Sequence, residues 1–347
     1  MIRTLMPLAS RRAILRGGAA ALAAGLVPSA MGPALAQEAD WDKVVAAAKK
    51  EGGVMVYGNG PVLRALVAQF GKTYGLDAQM LDARASETRE RVRTEQMTGR
   101  VNADVFTSGA VTTTNMAREG RFVSHGALPN VAKIAAPFKD DGTLLPYTAN
   151  VLTALVNSKL VKPEEDPKSW KDMLDPKWTG EVLLDEPRTG GVGYVFFAVT
   201  YERFGREYQE KFAALKPVIA PDPAIAARRL AAGEFALYVG FAFHEYKGLK
   251  GLPIRVVFPE EGGMYSTLNA AMVKGAPHPN AARLFMNFMV SDEGQGVVAS
   301  FGSRTTTGFI PDDLPDDLRR LLNVKLFGAS DPDDQDAMNK LAREIYK

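Results

Sequence analysis

The strongest constraint in this sequence is a repeating order: a short β-rich run, a loop of small residues, then an amphipathic helical pattern. Val54-Met55-Val56-Tyr57 leads through Gly58-Asn59-Gly60 to Pro61, a residue suited to the first position of a helix. Val62, Leu63, Leu66, Val67 and Phe70 then recur on one face. The order repeats with a strand at 78–81 before a charged helix at 86–98. It repeats again with Asp104-Val105-Phe106-Thr107 and Ser108-Gly109 before another helix. Strands that alternate with helices are covered on their faces by those helices, which predicts an α/β architecture.

Length then sets the scale. At roughly 150 residues per domain, 347 residues predict about two lobes, each able to bury its own core. Hydrophobic residues make up 46% and charged residues 24%, a globular balance that excludes low-complexity disorder. The formal charge of +2 arises before residue 37, where Arg3, Arg11, Arg12 and Arg16 stand without an acid. The remainder is slightly acidic and has no basic run, so it offers no electrostatic footprint for nucleic acid. The absence of cysteine removes disulfides, thiolate metal sites and cysteine nucleophiles together. Beyond the N-terminus no apolar stretch approaches the roughly 20 residues of a membrane span.

Ser10-Arg11-Arg12-Ala13-Ile14-Leu15-Arg16, an Ala/Gly-rich segment at 17–27 and Ala34-Leu35-Ala36 read as a cleaved export signal over residues 1–36. The paired arginines resemble the twin-arginine type, with Ile14 in place of the commoner Phe. The mature chain would begin at Gln37 and reside in the bacterial periplasm.

Further on, residues 144–157 form a long apolar and β-branched stretch, read as an extended segment leading from one lobe to the next. Residues 163–178 are polar, punctuated by proline and expected to wrap the surface. Strands are expected at 181–184, 235–239, 254–257 and 268–273, with helices at 192–204 and 222–232. A helix opened by Pro279 should turn Ala282, Phe285, Met286 and Met289 inward, and Ser291 should cap the next. The acidic tail at 331–336 precedes a short amphipathic helix.

In open α/β sheets, ligands gather beyond the C-terminal strand ends, where helix N-termini and free backbone N–H groups converge. Four loops qualify. They contain Asn59, then Arg84 and Ser86, then Ser108, and finally Arg188, Thr189 and Gly190 within Asp185-Glu186-Pro187-Arg188-Thr189-Gly190-Gly191. Ser86 can also cap its helix. The guanidinium of Arg188 beside a glycine-rich turn suits carboxylate, phosphate or phosphonate, unless it pairs with Asp185 or Glu186. No Gly-Lys-Ser/Thr follows, so the loop is not a nucleotide-binding P-loop. Histidine occurs three times, without His-x-x-x-His spacing, and no Gly-x-Ser-x-Gly elbow is present. Catalysis therefore has no supporting motif, and no cofactor is implied.

Several segments carry a resemblance. Lys49-Lys50-Glu51-Gly52-Gly53-Val54-Met55-Val56-Tyr57 resembles the opening of periplasmic solute-binding proteins of the ferric-iron and related type. The likeness continues through Glu95-Gln96-Met97-Thr98-Gly99-Arg100, Ala103-Asp104-Val105, Pro167-Lys168-Ser169-Trp170 and Leu174-Asp175-Pro176-Lys177-Trp178-Thr179-Gly180. Val273-Lys274-Gly275-Ala276-Pro277-His278-Pro279-Asn280 and Ser291-Asp292-Glu293-Gly294-Gln295 complete it. The resemblance implies a type II periplasmic binding protein: two Rossmann-like lobes, 37–148 with 267–347 and 149–266, joined by a two-strand hinge near 147–150 and 267–269. It implies a monomeric receptor that closes on its solute and delivers it to an ABC permease. Thr148 and Tyr265 would lie near the hinge, and His244 in the cleft.

Ferric-iron relatives carry adjacent tyrosines after a Gly-Glu-x-Ala strand. Here Gly233-Glu234-Phe235-Ala236 is followed by Phe241-Ala242-Phe243-His244. Ferric iron favours anionic oxygen donors, so a small organic anion held without metal is the expected solute. Ferric iron or a metal chelate is the alternative, and an enzyme on the same scaffold is a second. Phe241, Phe243, Tyr194 and Tyr265 are candidates for an apolar wall.

Overall fold

Pro61 opens α2 and the left-handed Gly75 closes it, with Leu63, Leu66, Val67 and Phe70 buried, which is the apolar face that the sequence pattern predicts. This fit of pattern to packing holds along most of the computed structural model, which describes residues 33–347 other than Gly190. The expected export signal lies outside the described residues except for its last four, which open α1. No helix among the described residues is long and apolar enough to cross a membrane.

In chain order the first elements are α1 (Pro33–Glu51), β1 (Gly53–Gly58), α2 (Pro61–Tyr74), β2 (Asp77–Asp82), α3 (Ala85–Thr98), β3 (Val105–Gly109) and α4 (Ala110–Arg118). Next come β4 (Phe122–Val123), β5 (Leu145–Asn157), β6 (Val182–Leu184), α5 (Val192–Ala214), β7 (Val218–Ile219), α6 (Pro223–Ala232), β8 (Leu237–Ala242) and β9 (Ile254–Val257). The chain continues with β10 (Gly263–Val273), α7 (Pro279–Met289), α8 (Asp292–Ala299), β11 (Arg304–Thr305), α9 (Asp316–Leu322), β12 (Leu326–Ala329) and α10 (Gln335–Ile345). Short 3-10 turns punctuate residues 163–178, two of the three opening at a proline.

The strands form one mixed sheet in the order β2-β1-β3-β10-β5-β8-β6-β7. Parallel pairs β2-β1-β3 stand at one end and β8-β6-β7 at the other. The antiparallel strands β10 and β5 lie between them. Both are long enough to serve two neighbourhoods. β10 pairs with β3 through Leu268–Met272 and with β5 through Met264–Ala270, while β5 pairs with β8 through Leu152–Val156. The stretch expected to be extended at 144–157 is β5.

Separate apolar clusters flank this sheet. One joins α2, α7 and α8 to β1 and β10, with Phe70 against Phe285 and Phe288. Another surrounds the first half of α5, where Phe196 and Phe197 pack with Trp170, Phe212 and Tyr346. The expected inward residues of α7, namely Ala282, Phe285, Met286 and Met289, are all buried. Ser291 caps α8 by accepting the N–H of Gly294 at 3.1 Å. In contrast, Ser86 lies inside the first turn of α3. The N-cap position belongs to Arg84, which makes no side-chain cap. The expected helix end near 204 falls at Gly205, whose φ of 79° breaks the helical path inside α5.

Candidate functional site

Two adjoining cavities lie where the segments that follow β1, β3, β6 and β8 meet the middle of β5 and β10. The larger, about 320 Å³, is lined by Gly109–Thr112 at the start of α4 and by Gly191, Val192, Tyr194 and Val195 at the start of α5. Asn150, Leu152, Tyr265, Ser266 and Thr267 come from the two central strands, and Ala329, Ser330 and Gln335 from the C-terminal segment. The smaller, about 170 Å³, is bordered by Asn59–Leu63, Tyr147, Thr148, His244 and Leu268. Asn150 lines both.

The electrostatics of the larger cavity come from backbone. Gly109 and Gly191 are the N-cap residues of α4 and α5, and neither has a side chain to cap its helix, so no cap side chain stands between the cavity and the helix starts that line it. No Asp, Glu, Lys or Arg lines this cavity among the described residues. Gly191 holds φ at 84°, a turn that favours glycine and lets the chain enter α5 directly from the loop. Close below lies Asp185, buried at the end of β6. Burial raises its carboxyl to about 6, against the lowering effect of N–H groups from Glu186 and Gly193. Tyr194 is pushed up to about 12 by burial, and Asp331, Asp334 and Asp336 add to the rise. Its hydroxyl stays protonated and donates to the carbonyl of Asp331 at 3.5 Å.

The structure brings four of the expected residues to these cavities. Tyr265 lines the larger one, with its ring edge-on to Phe138 at 5.7 Å between centroids. Asn59, Thr148 and His244 border the smaller one. The hydroxyl of Thr148 donates to the carbonyl of Arg304 at 3.0 Å, which fixes it toward β11. His244 places Nε2 3.2 Å from Glu245, and its buried Nδ1 has no partner among the described residues. Hydrogen bonding from His244 holds the Glu245 carboxyl below its ordinary range.

The other expected residues stand apart from the cavity walls. Ser108 is buried on β3 beside Gly109, opposite Asn269 of β10. Arg84, Ser86 and Thr189 are exposed and border neither cavity. Gly190 lies outside the described residues. The guanidinium of Arg188 makes two 2.7 Å bonds to Glu186 and a longer one to the carbonyl of Tyr346, so its donors face this chain. Among the aromatic candidates, Tyr194 and Tyr265 form cavity wall, while Phe241 and Phe243 are fully buried in the core with Leu318 and Leu321.

Sequence reading missed Asn150, Val111, Thr112, Thr267, Ser330 and Gln335. For Val111 and Thr112 a signal existed in the small-residue loop that precedes α4. For Ser330 and Gln335 nothing local announces that the tail returns to the cavity.

Comparison with known proteins agrees with this geometry. The model of the family described as bacterial extracellular solute-binding protein matches residues 101–321. An uncharacterized protein of Haemophilus influenzae is 27% identical over 242 residues, covering 65% of this chain and 68% of its own. Among solved structures, the periplasmic binding protein AfuA of Actinobacillus pleuropneumoniae, with exogenous fructose-6-phosphate bound, superposes with a TM-score of 0.67. It is 22% identical and covers 84% of this chain and 98% of its own. Iron-bound HitA of Pseudomonas aeruginosa gives 0.68 at 21% identity, covering 84% and 99%. The fold, with its mixed sheet, is therefore that of the type II periplasmic binding proteins. By its sequence match over most of the chain and by its fold, this protein belongs to the bacterial extracellular solute-binding proteins.

Proposed function

We propose that the protein is a monomeric periplasmic receptor of an ABC importer. It captures a small organic anion, a carboxylate, phosphonate or sugar phosphate, in the cavity between α4 and α5 and delivers it to the permease. Export before capture would follow the twin-arginine route. The observation that carries this reading is the convergence on one cavity, with no charged side chain among the described residues of its lining, of two helix N-termini whose cap residues are glycines, the α5 start sharing only its Gly193 N–H with the buried Asp185. Backbone donors and helix dipoles there suit a compact anionic group. The hydroxyls of Thr112, Ser266 and Thr267 and the amides of Asn150 and Gln335 suit an oxygen-rich body.

Closure would bring together two lobes, 37–148 with 267–347 and 149–266, across β5 and β10. The division of partners along β5 supports this reading. Its residues Leu152–Val156 pair with β8, while Leu145–Ala149 pair only with β10 and β11. AfuA binds a sugar phosphate and HitA binds iron, so relatives of the same fold stand on either side of the solute question. The ferric alternative finds less support in the side chains. Phe243 and His244 occupy the position of the expected tyrosine pair. Among the described residues no group of three His, Asp or Glu side chains is placed to hold a metal.

The test is a thermal-shift and native mass-spectrometry panel on the purified protein, with fructose 6-phosphate, citrate, methylphosphonate, inorganic phosphate and ferric citrate. At a hundredfold excess over Kd, one bound organic anion should add about 2.7 kcal/mol, or roughly 4 °C in Tm for a chain of this length. A single bound anion that survives a chelator supports the proposal. Stabilisation by ferric citrate alone, abolished by the chelator, supports iron, and turnover of a panel compound supports an enzyme.

A further inference from the structure

The C-terminal segment contributes to the lining of the cavity and is held very differently at its two sides. After α9 the chain forms β12, which pairs in parallel with β10 by setting Met264 against Gly328 and Tyr265 against Ala329. Ala329, Ser330 and Gln335 then line the larger cavity. Beyond them α10 docks on α5 through buried groups. Ala342 and Tyr346 share the core cluster of Val195–Val199, Tyr346 stands edge-on to Phe197, and its hydroxyl donates to Gln209 Oε1 at 2.7 Å. Toward α4 the tie is polar and exposed: Arg118 Nη1 meets Asp333 Oδ1 at 2.5 Å, with the two side chains 57% and 59% exposed.

A buried aromatic anchor outlasts an exposed ion pair whenever the two sides separate, because water replaces the ion pair at little cost. We propose that residues 329–335 form a movable third wall of the solute cavity. This wall is carried with α5 and latched to α4 by the Arg118–Asp333 ion pair, whose rupture lets the cavity open. The proposal rests on reading the cavity as the solute site, yet its mechanics do not depend on which solute enters. The wall also places Gln335 and Ser330 where they meet whatever occupies the cavity.

The absence of cysteine makes the test clean. Ser266→Cys installs a single thiol in the cavity wall, and its modification by fluorescein maleimide, a reagent bulky beside a cavity of about 320 Å³, reports opening. Without any solute added, Arg118→Ala or Asp333→Asn should raise the modification rate about three- to fivefold, and 0.5 M NaCl should do the same to the unmodified pair. The exchanged pair, Arg118→Asp with Asp333→Arg, should return the rate to within twofold. Equal rates in all variants overturn the latch, and so does a rise that the exchanged pair fails to reverse. Because no solute takes part, a failed solute panel and a failed latch are separate results.

Discussion

Asp185 and Gly193 touch where β6 hands the chain to α5: the buried carboxylate accepts the Gly193 N–H, and a Cβ on Gly193 would stand 2.3 Å from the Asp185 carbonyl oxygen. This contact sets the height of the first turn of α5 and places a titratable charge beneath the helix start that lines the cavity.

Asp185 gives a pH dependence of definite sign. Its folded-state carboxyl titrates at about 6, above the ordinary 3.8. The stabilising effect is therefore complete below about pH 4 and is lost as pH rises through about 6. Asp185→Asn should flatten this part of the stability profile and at pH 7.5 gain on the order of 1–3 kcal/mol. Urea unfolding of both proteins at pH 5 and 7.5 checks it. The same charge opposes an anion at α5, so anion affinity of the unmodified protein should weaken from pH 5 to 7.5, and less so in Asp185→Asn.

Gly193→Ala should be costly. The added methyl has no room against the Asp185 and Glu186 backbone, so the first turn of α5 must shift, at about 2–3 kcal/mol. Thermal unfolding should register a lower Tm, with weaker binding alongside it. Unchanged values for both would place the α5 start elsewhere.

Arg188 should matter little for solute affinity. Its guanidinium is engaged bidentately by Glu186, which holds the Glu186 carboxyl below its usual range. Calorimetric titration of Arg188→Ala should give a Kd within twofold of the parent and a stability loss of at most about 1 kcal/mol. A tenfold loss of affinity would show that Arg188 turns from Glu186 to the solute.

Asn150 stands at the junction of both cavities, so one side chain serves both. Losing a hydrogen bond to a charged group costs about 1.5–3 kcal/mol, so Asn150→Ala should weaken binding at least tenfold with little change in Tm.

Much of the architecture was legible because local pattern and burial agree. The apolar faces of α2 and α7, the cap at Ser291 and the extended run that becomes β5 are all properties of a few neighbouring residues. The site was legible only where a loop follows a strand. Asn59 and the segment after Ser108 reach cavity space, whereas Arg84 and Ser86 belong to the same kind of loop and stay at the surface. The partner of Arg188 was one of two named acids, and only side-chain geometry selects Glu186 over Asp185. β12 and the return of Ser330 and Gln335 to the cavity depend on pairing with β10 across some sixty residues, which no local period encodes.

The account depends most on free backbone donors at the start of α4. Ala110 is the first residue of that helix, where proline is tolerated and deletes a single N–H. Calorimetric titration of Ala110→Pro with the panel anion that binds the parent protein should show at least a tenfold weaker Kd at unchanged Tm. An unaltered Kd, or a parent protein that binds none of the panel anions, would contradict capture at the helix N-termini.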